Sequence, residues 1–184
     1  MIRAPAIIST ERLTLRAVSI RDARALTEAY ASDPEATKYL TFRTHHDIRE
    51  TKRFLRAAVS SWRKGTVFTW VITLRQTGLL IGAIDAHMDK THVMLGYVLS
   101  REYWNRGYMS EAVVAVTEWA LAQEEIYRVW AVCDVENIAS ACVLEKAGMQ
   151  KEGTLRQWVV LPNRSKTPRD CFCYGKVKAP NEND

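Results

Sequence analysis

The spacing of apolar residues changes several times along this chain, and each change marks an element. From Glu11 to Ala17 the order ERLTLRA places Leu13 and Leu15 on one side, which predicts a strand. Behind Ser19, the positions Ile20, Ala23, Leu26 and Tyr30 recur at helical spacing. Ser19-x-x-Asp22 has the form of a capping box, and Asp33-Pro34 predicts the helix end, since a residue before proline avoids helical angles. A second helix begins near Thr44 or Asp47. Its apolar face is Ile48, Thr51, Leu55, Ala58 and Trp62, and Lys64-Gly65 supplies the cation and glycine of a helix end.

Alternation returns at Val67–Leu74, where Phe68, Trp70, Ile72 and Leu74 share one side. Thr77-Gly78 and Asp89-Lys90-Thr91 turn the chain through two more strands, Leu79–Met88 and His92–Leu99, so the three form an antiparallel meander. From Met109 to Gln123 the chain is apolar around much of a helical circumference, which predicts a centrally buried helix. A strand at Arg128–Cys133 follows, then a helix over Asn137–Ala147 closed by Gly148. Two strands, Gly153–Leu161 and Asp170–Val177, are joined by the polar loop PNRSKTP, and the tail APNEND (179–184) reads as frayed. This order is α+β with a mixed sheet, and the unit from His92 to Cys133 is a right-handed parallel crossover.

Composition narrows the setting. With 184 residues, 47% hydrophobic and 26% charged, the chain suits one domain over 1–184, with its ordered core at about 8–178. A net charge of +5 favours anionic ligands such as phosphorylated cofactors, but the basic residues are too scattered for a nucleic-acid surface. MIRAPAIIST lacks the apolar run of a signal peptide, and Leu79–Ile84 is far too short to cross a bilayer. A cytoplasmic protein with no membrane partner is expected. Cys133, Cys142, Cys171 and Cys173 show no C-x-x-C pair or zinc spacing, so free buried thiols and no metal are expected.

One stretch, HVMLGYVLSREYWNRGYMSEAVVAVTEWALAQ from His92 to Gln123, carries the candidate chemistry. A strand that runs through a glycine turn into a helix presents free N–H groups at the positive end of the helix dipole. That point suits phosphate oxygens. The turn is Asn105 to Ser110, with Gly107 within it.

Here the chain resembles the GNAT superfamily of acyl-CoA-dependent N-acyltransferases, most closely the ribosomal-protein-alanine (RimJ/RimL-like) branch. The element order matches from ERLTLRA to CYGKV. YWNRGYMSEA (Tyr103–Ala112) is similar to a family pattern W-G-K-G-Y-A-T-E-A, and NIASACVLEKAGM (Asn137–Met149) to N-x-x-S-x-x-V-L-E-K-x-G-F; ERLTLR and KEGTLR flank them. The resemblance implies a mostly antiparallel twisted sheet of about seven strands with helices on both faces. It also implies acetyl-CoA as cosubstrate, with Asn105, Arg106, Gly107, Tyr108, Met109 and Ser110 holding its pyrophosphate. Val98 and Leu99, on a splayed strand, would pair with the pantetheine; Asn137 would hydrogen-bond it; Ser140 would stand near the thiol. Lys146 is either a phosphate ligand or a solvated helix charge. Asn105 and Met109 replace small family residues, and Asn tolerates left-handed angles.

The implied reaction is acetyl transfer to a primary amine. The acceptor is a protein N-terminus, or else a small amine such as an antibiotic, polyamine or amino acid; a silent acyl-CoA-binding module is the rival reading. Oligomeric state is left at monomer or homodimer. The amine must lose a proton, the carbonyl oxygen needs a donor, and the thiolate benefits from a hydroxyl. Leu144 stands where many relatives carry a tyrosine, so Ser140 becomes the candidate proton donor to the thiolate, against the alternative of a helical serine bonding its own backbone. Val159 sits about where branch members carry a glutamate base. Asp85, Glu111 and His87 are the alternative bases. By the same resemblance His45 and His46 lie beside the acceptor, while Tyr39, Phe42 and Trp158 either shape its pocket or are plain core.

Overall fold

The computed structural model describes residues 2–179, so the expected fraying lies outside the described residues except at Ala179. Eight strands form one sheet. They are β1 (Ile7–Ser9), β2 (Leu13–Ala17), β3 (Val67–Leu74), β4 (Leu80–Asp89), β5 (His92–Leu99), β6 (Arg128–Asp134), β7 (Gln150–Val159) and β8 (Arg169–Val177). Their spatial order is β1-β2-β3-β4-β5-β6-β8-β7. Neighbours are antiparallel except β5 and β6, the pair joined by the helical crossover.

Period-two alternation divides the core between two faces. One face carries Phe68, Trp70, Ile72, Ile84, Ala86, Val93, Leu95 and Val129, which pack with Ala112, Val113, Val116 and Ala120 of α4 (Tyr108–Leu121). α5 (Ile138–Lys146) covers the same face through Ala141 and Leu144. On the other face Val71, Leu80 and Ala83 meet Leu26 of α1 (Ala23–Leu26) and Leu55 and Ala58 of α3 (Ile48–Lys64). Helices therefore lie on both faces.

The differences from expectation have local causes. β1 was not anticipated: three residues are too few to show alternation, and it exists by pairing with β2. The Ser19–Asp22 capping box forms, but it opens a 3-10 turn (Ile20–Asp22) before α1 and a π turn (Thr27–Ala31) after it. Pro34 begins a short helix, α2 (Pro34–Thr37), with Asp33 as its N-cap, because proline suits the first helical turn as well as it blocks an interior. β7 starts at Gln150 and ends at Val159, earlier at both ends than expected. All four cysteines are free, but Cys142 is exposed and only Cys133 and Cys171 are buried.

Candidate active site

β5 and β6 pair over three rungs only, His92–Arg128, Val93–Val129 and Met94–Trp130. β5 continues to Leu99 and β6 to Asp134, so the two strands open into a wedge. The Ser100 N–H bonds the Ile81 carbonyl at 2.8 Å, beside β4. Alternation turns the backbone groups of Val98 and Gly96 the same way, and those of Tyr97 and Leu99 into the wedge. The Val98 N–H therefore faces β4, against the expectation that Val98 and Leu99 both front the splayed edge; the wedge-facing groups are those of Tyr97 and Leu99. The Leu99 carbonyl already accepts from Trp104 Nε1 at 2.8 Å.

At the open end of β5 the chain enters the glycine turn. Asn105 and Gly107 both have positive φ, 59° and 77°. Gly107 is the N-cap of α4, and the first N–H to reach back is that of Glu111, to the Gly107 carbonyl at 3.1 Å. The preceding N–H groups emerge at the helix end, beside the half-buried Tyr108 and Ser110 and the exposed Arg106. Met109 does not narrow this cradle; it is 5% exposed and packs beneath it in the core. Arg12 braces the turn from β2's approach: Nη1 donates to the Arg106 carbonyl at 3.0 Å, and the guanidinium lies 4.6 Å from the Tyr108 ring centroid.

Glu111 belongs to this brace and is corrected as a base. Its carboxylate accepts from Thr10 Oγ1 at 2.5 Å, the Arg12 N–H at 2.9 Å and Arg12 Nε at 2.7 Å. Burial raises its pKa, but the bonds from Thr10 and Arg12 outweigh it and hold the carboxyl below the usual range. It fastens β2's approach to α4 and is turned away from the wedge.

On the α5 side of the wedge, Asn137 caps the helix by accepting the Ser140 N–H at 3.2 Å. Ser140 Oγ lies 2.8 Å from Tyr97 Oη, which spans the wedge from β5; the same hydroxyl is 3.3 Å from the Ser140 carbonyl. Cys133, at the end of β6, completes the group. Burial pushes its thiol up to about 11, opposed by a bond to Ser140. Leu144 is fully buried, and Lys146 is exposed in the last turn of α5.

On the opposite face of the sheet, Asp85 stands beside the wedge. It pairs with Gly96, where a Cβ would come 2.5 Å from Asp85 Oδ1, so the missing side chain at 96 makes room for the carboxylate. Asp85 Oδ2 lies 2.9 Å from His87 Nε2, two residues along the same face. This bond raises the His87 pKa against burial, which lowers it. Met94 and Val67 flank His87 on the neighbouring strands, and the buried Tyr30 lies near Asp85, its hydroxyl pKa raised by burial and then by that charge.

The segment from Tyr39 to His46 is tied down near this face. Asn163, in the β7–β8 loop, donates to the carbonyls of Thr37 at 2.8 Å and Phe42 at 2.9 Å and accepts the Thr44 N–H at 3.2 Å. His45 Nδ1 lies 2.8 Å from Thr51 Oγ1, and burial lowers its pKa; the His46 N–H bonds Glu50. Phe42 stacks on Phe54 and Tyr39 donates to the Glu136 carbonyl at 3.4 Å, so both are structural at least. Trp158 is 50% exposed on β7, outside the core, and Val159 pairs with Arg169.

A parallel pair that parts after three rungs, with a helix-capped glycine turn at its mouth, is the architecture of an acyl-CoA-dependent transferase. The family model for the GNAT acetyltransferase domain matches residues 12–150, and the chain belongs to that family. It is 31% identical over 175 residues to the uncharacterized N-acetyltransferase YoaA of Bacillus subtilis (strain 168), covering 94% of this chain and 97% of that one. A GNAT-family acetyltransferase from Bacillus anthracis superposes with TM-score 0.81 at 27% identity, over 94% of this chain and 98% of that one. The fold is also shared, at TM-score 0.83 and 20% identity over 93% and 97% of the two chains, with the ribosomal L7/L12 α-N-protein acetyltransferase RimL in complex with coenzyme A as a cysteine disulfide. The protein is thus an N-acetyltransferase with acetyl-CoA as cosubstrate. Among the described residues no cluster of three His, Cys, Asp or Glu is placed to hold a metal, and no helix is long and apolar enough to cross a membrane.

Proposed function

We propose that this enzyme acetylates a primary amine by direct transfer within a ternary complex, and that the acceptor is a protein N-terminus. The wedge carries this reading, because it opens at the glycine turn and has Ser140 on one face and Asp85 on the other. The pyrophosphate is held by the N–H groups of Asn105 to Ser110. The pantetheine pairs with Tyr97 and Leu99 along the free edge of β5 and meets Asn137. Its thiol end lies by Ser140 and Cys133, on the α5 side of the wedge. With its pKa near 11, Cys133 remains a thiol at neutral pH, so an acyl-cysteine route has no thiolate to use there.

Amine deprotonation falls to the Asp85–His87 pair. The amine nitrogen attacks the acetyl carbon, the C–S bond breaks, and the amine's surplus proton passes to this pair directly or through one water. Ser140 donates a hydrogen bond to the leaving sulfur. The acceptor enters from the face carrying Asp85, between the sheet and the 39–46 segment.

The test is turnover on a panel containing peptides with N-terminal alanine or serine, spermidine and free amino acids, reading released thiol together with the mass of the acetylated product. Acetylation of the peptide α-amine is expected. Turnover confined to small amines would remove the protein acceptor, and coenzyme A binding without turnover on any amine would favour a silent binding module.

A further inference from the structure

We infer that Tyr97 is a positioning residue for departure of the thiolate: its hydroxyl donates to Ser140 Oγ and so leaves the serine proton free to point at the sulfur of coenzyme A. This rests on the acetyltransferase reading above and concerns a side chain to which that reading gives no role beyond its backbone.

A serine in the first turns of a helix ordinarily donates its one proton to a backbone carbonyl of the preceding turn. Here Ser140 Oγ is instead 2.8 Å from Tyr97 Oη. That phenol comes from β5, 43 residues earlier, and crosses the wedge to reach α5. Burial raises the pKa of Tyr97, with the bond to Ser140 acting in the opposite direction, so the phenol keeps its proton throughout the working range and is fit to donate. Each hydroxyl carries one proton. When Tyr97 gives its proton to Ser140 Oγ at 2.8 Å rather than to the Ser140 carbonyl at 3.3 Å, the serine proton must find another acceptor. The acceptor already beside the half-buried Ser140 is the Cys133 sulfur, and a coenzyme A thiolate forming next to it would take the same proton as the stronger, charged acceptor.

Neither hydroxyl ionises in this scheme. The C–S electron pair leaves on sulfur and is stabilised by the O–H donor. The amine's proton goes to the base, and the thiolate takes its own proton from solvent on release. Hydrogen bonds to charged acceptors strengthen when a donor is itself polarised by a second donor, which is the gain expected from Tyr97.

The test needs no acceptor amine. Coenzyme A is bound to the protein, and its thiolate absorbance is titrated against pH, with desulfo-coenzyme A as the blank. The wild-type complex should hold the bound thiol at a lower pKa than free coenzyme A in the same buffer. Tyr97→Phe should raise it by about one pH unit, Ser140→Ala by at least as much, and the double variant no further than Ser140→Ala alone. Calorimetric affinity for coenzyme A should stay within about threefold in Tyr97→Phe, since the backbone of residue 97 is retained. An unchanged thiol pKa in Tyr97→Phe overturns the inference, as does a Tyr97→Phe effect that persists in full without Ser140. A failure of the wild-type protein to bind coenzyme A would instead sink the acetyltransferase reading itself.

Discussion

Gly107 shows what one residue contributes to the cradle. Its φ of 77° lies where a side chain is strained, and Arg12 Nη2 lies 3.4 Å from where a Cβ would stand. Gly107→Asp adds that strain and sets a carboxylate in the turn proposed to hold the pyrophosphate. Calorimetry should show coenzyme A binding weakened at least a hundredfold; unchanged affinity would refute the cradle. Asp85 acts by charge. A protonated His87 is no base, so its raised pKa means that kcat/KM climbs as pH rises through a value above the ordinary 6.5. Asp85→Asn removes the carboxylate charge that raises it, so the limb should move to lower pH and kcat should fall roughly tenfold to a hundredfold. A pH–rate profile with an unmoved limb would release the pair from this role. The turn at Gly107 was legible in sequence because local chemistry declares it, whereas Asn105 and Asn137 entered as site residues through the resemblance; the structure finds a left-handed angle at the one and an N-cap at the other. Tyr97 was not legible, because its hydroxyl partner is distant in the chain.

At the scale of elements, the ends of β6 and β8 are joined by a charge network. Asp134, with a fully buried carboxylate, accepts from Arg169 Nε and Nη2, and Glu136 pairs with both Arg164 and Arg169. Burial raises the Asp134 pKa, but Arg169 and the Glu136 N–H together bring it below the usual carboxylate range. A depressed carboxyl stabilises the fold above its unfolded pKa, near the ordinary 3.8, and loses that contribution as pH falls through the lower folded value. Asp134→Ala should therefore cost about 3 kcal/mol at neutral pH and lower Tm by roughly 6–12 °C. Denaturation curves should show the gap to wild type shrinking below the ordinary carboxylate range; an equal gap at all pH values would argue against the charge as its source. Regular elements were legible where their period ran for several turns or rungs, as in α3, α4 and β3. Short ones were not: β1 and α2 owe their existence to a neighbouring strand and to a cap, which periodicity does not register.

In the whole molecule the proposed cofactor site lies between elements rather than on any one of them. Ligand that binds only the folded state stabilises it by mass action, so coenzyme A at a hundred times the wild-type Kd should add about 2.7 kcal/mol to unfolding free energy, and at the same concentration Gly107→Asp should gain no more than about 0.4 kcal/mol. Thermal unfolding with and without coenzyme A checks both. The hydrophobic pattern by itself determined the α+β class, the meander, the buried central helix and the glycine turn, because each depends on residues near one another in sequence. Tertiary structure alone decided which backbone groups of β5 face the wedge, that Glu111 is spent on Arg12 and Thr10, and that Asp85 joins His87 beneath Gly96. The physical reason is register and burial: a hydrogen bond or a displaced pKa depends on what lies within a few ångströms, and across the wedge those neighbours come from distant parts of the chain.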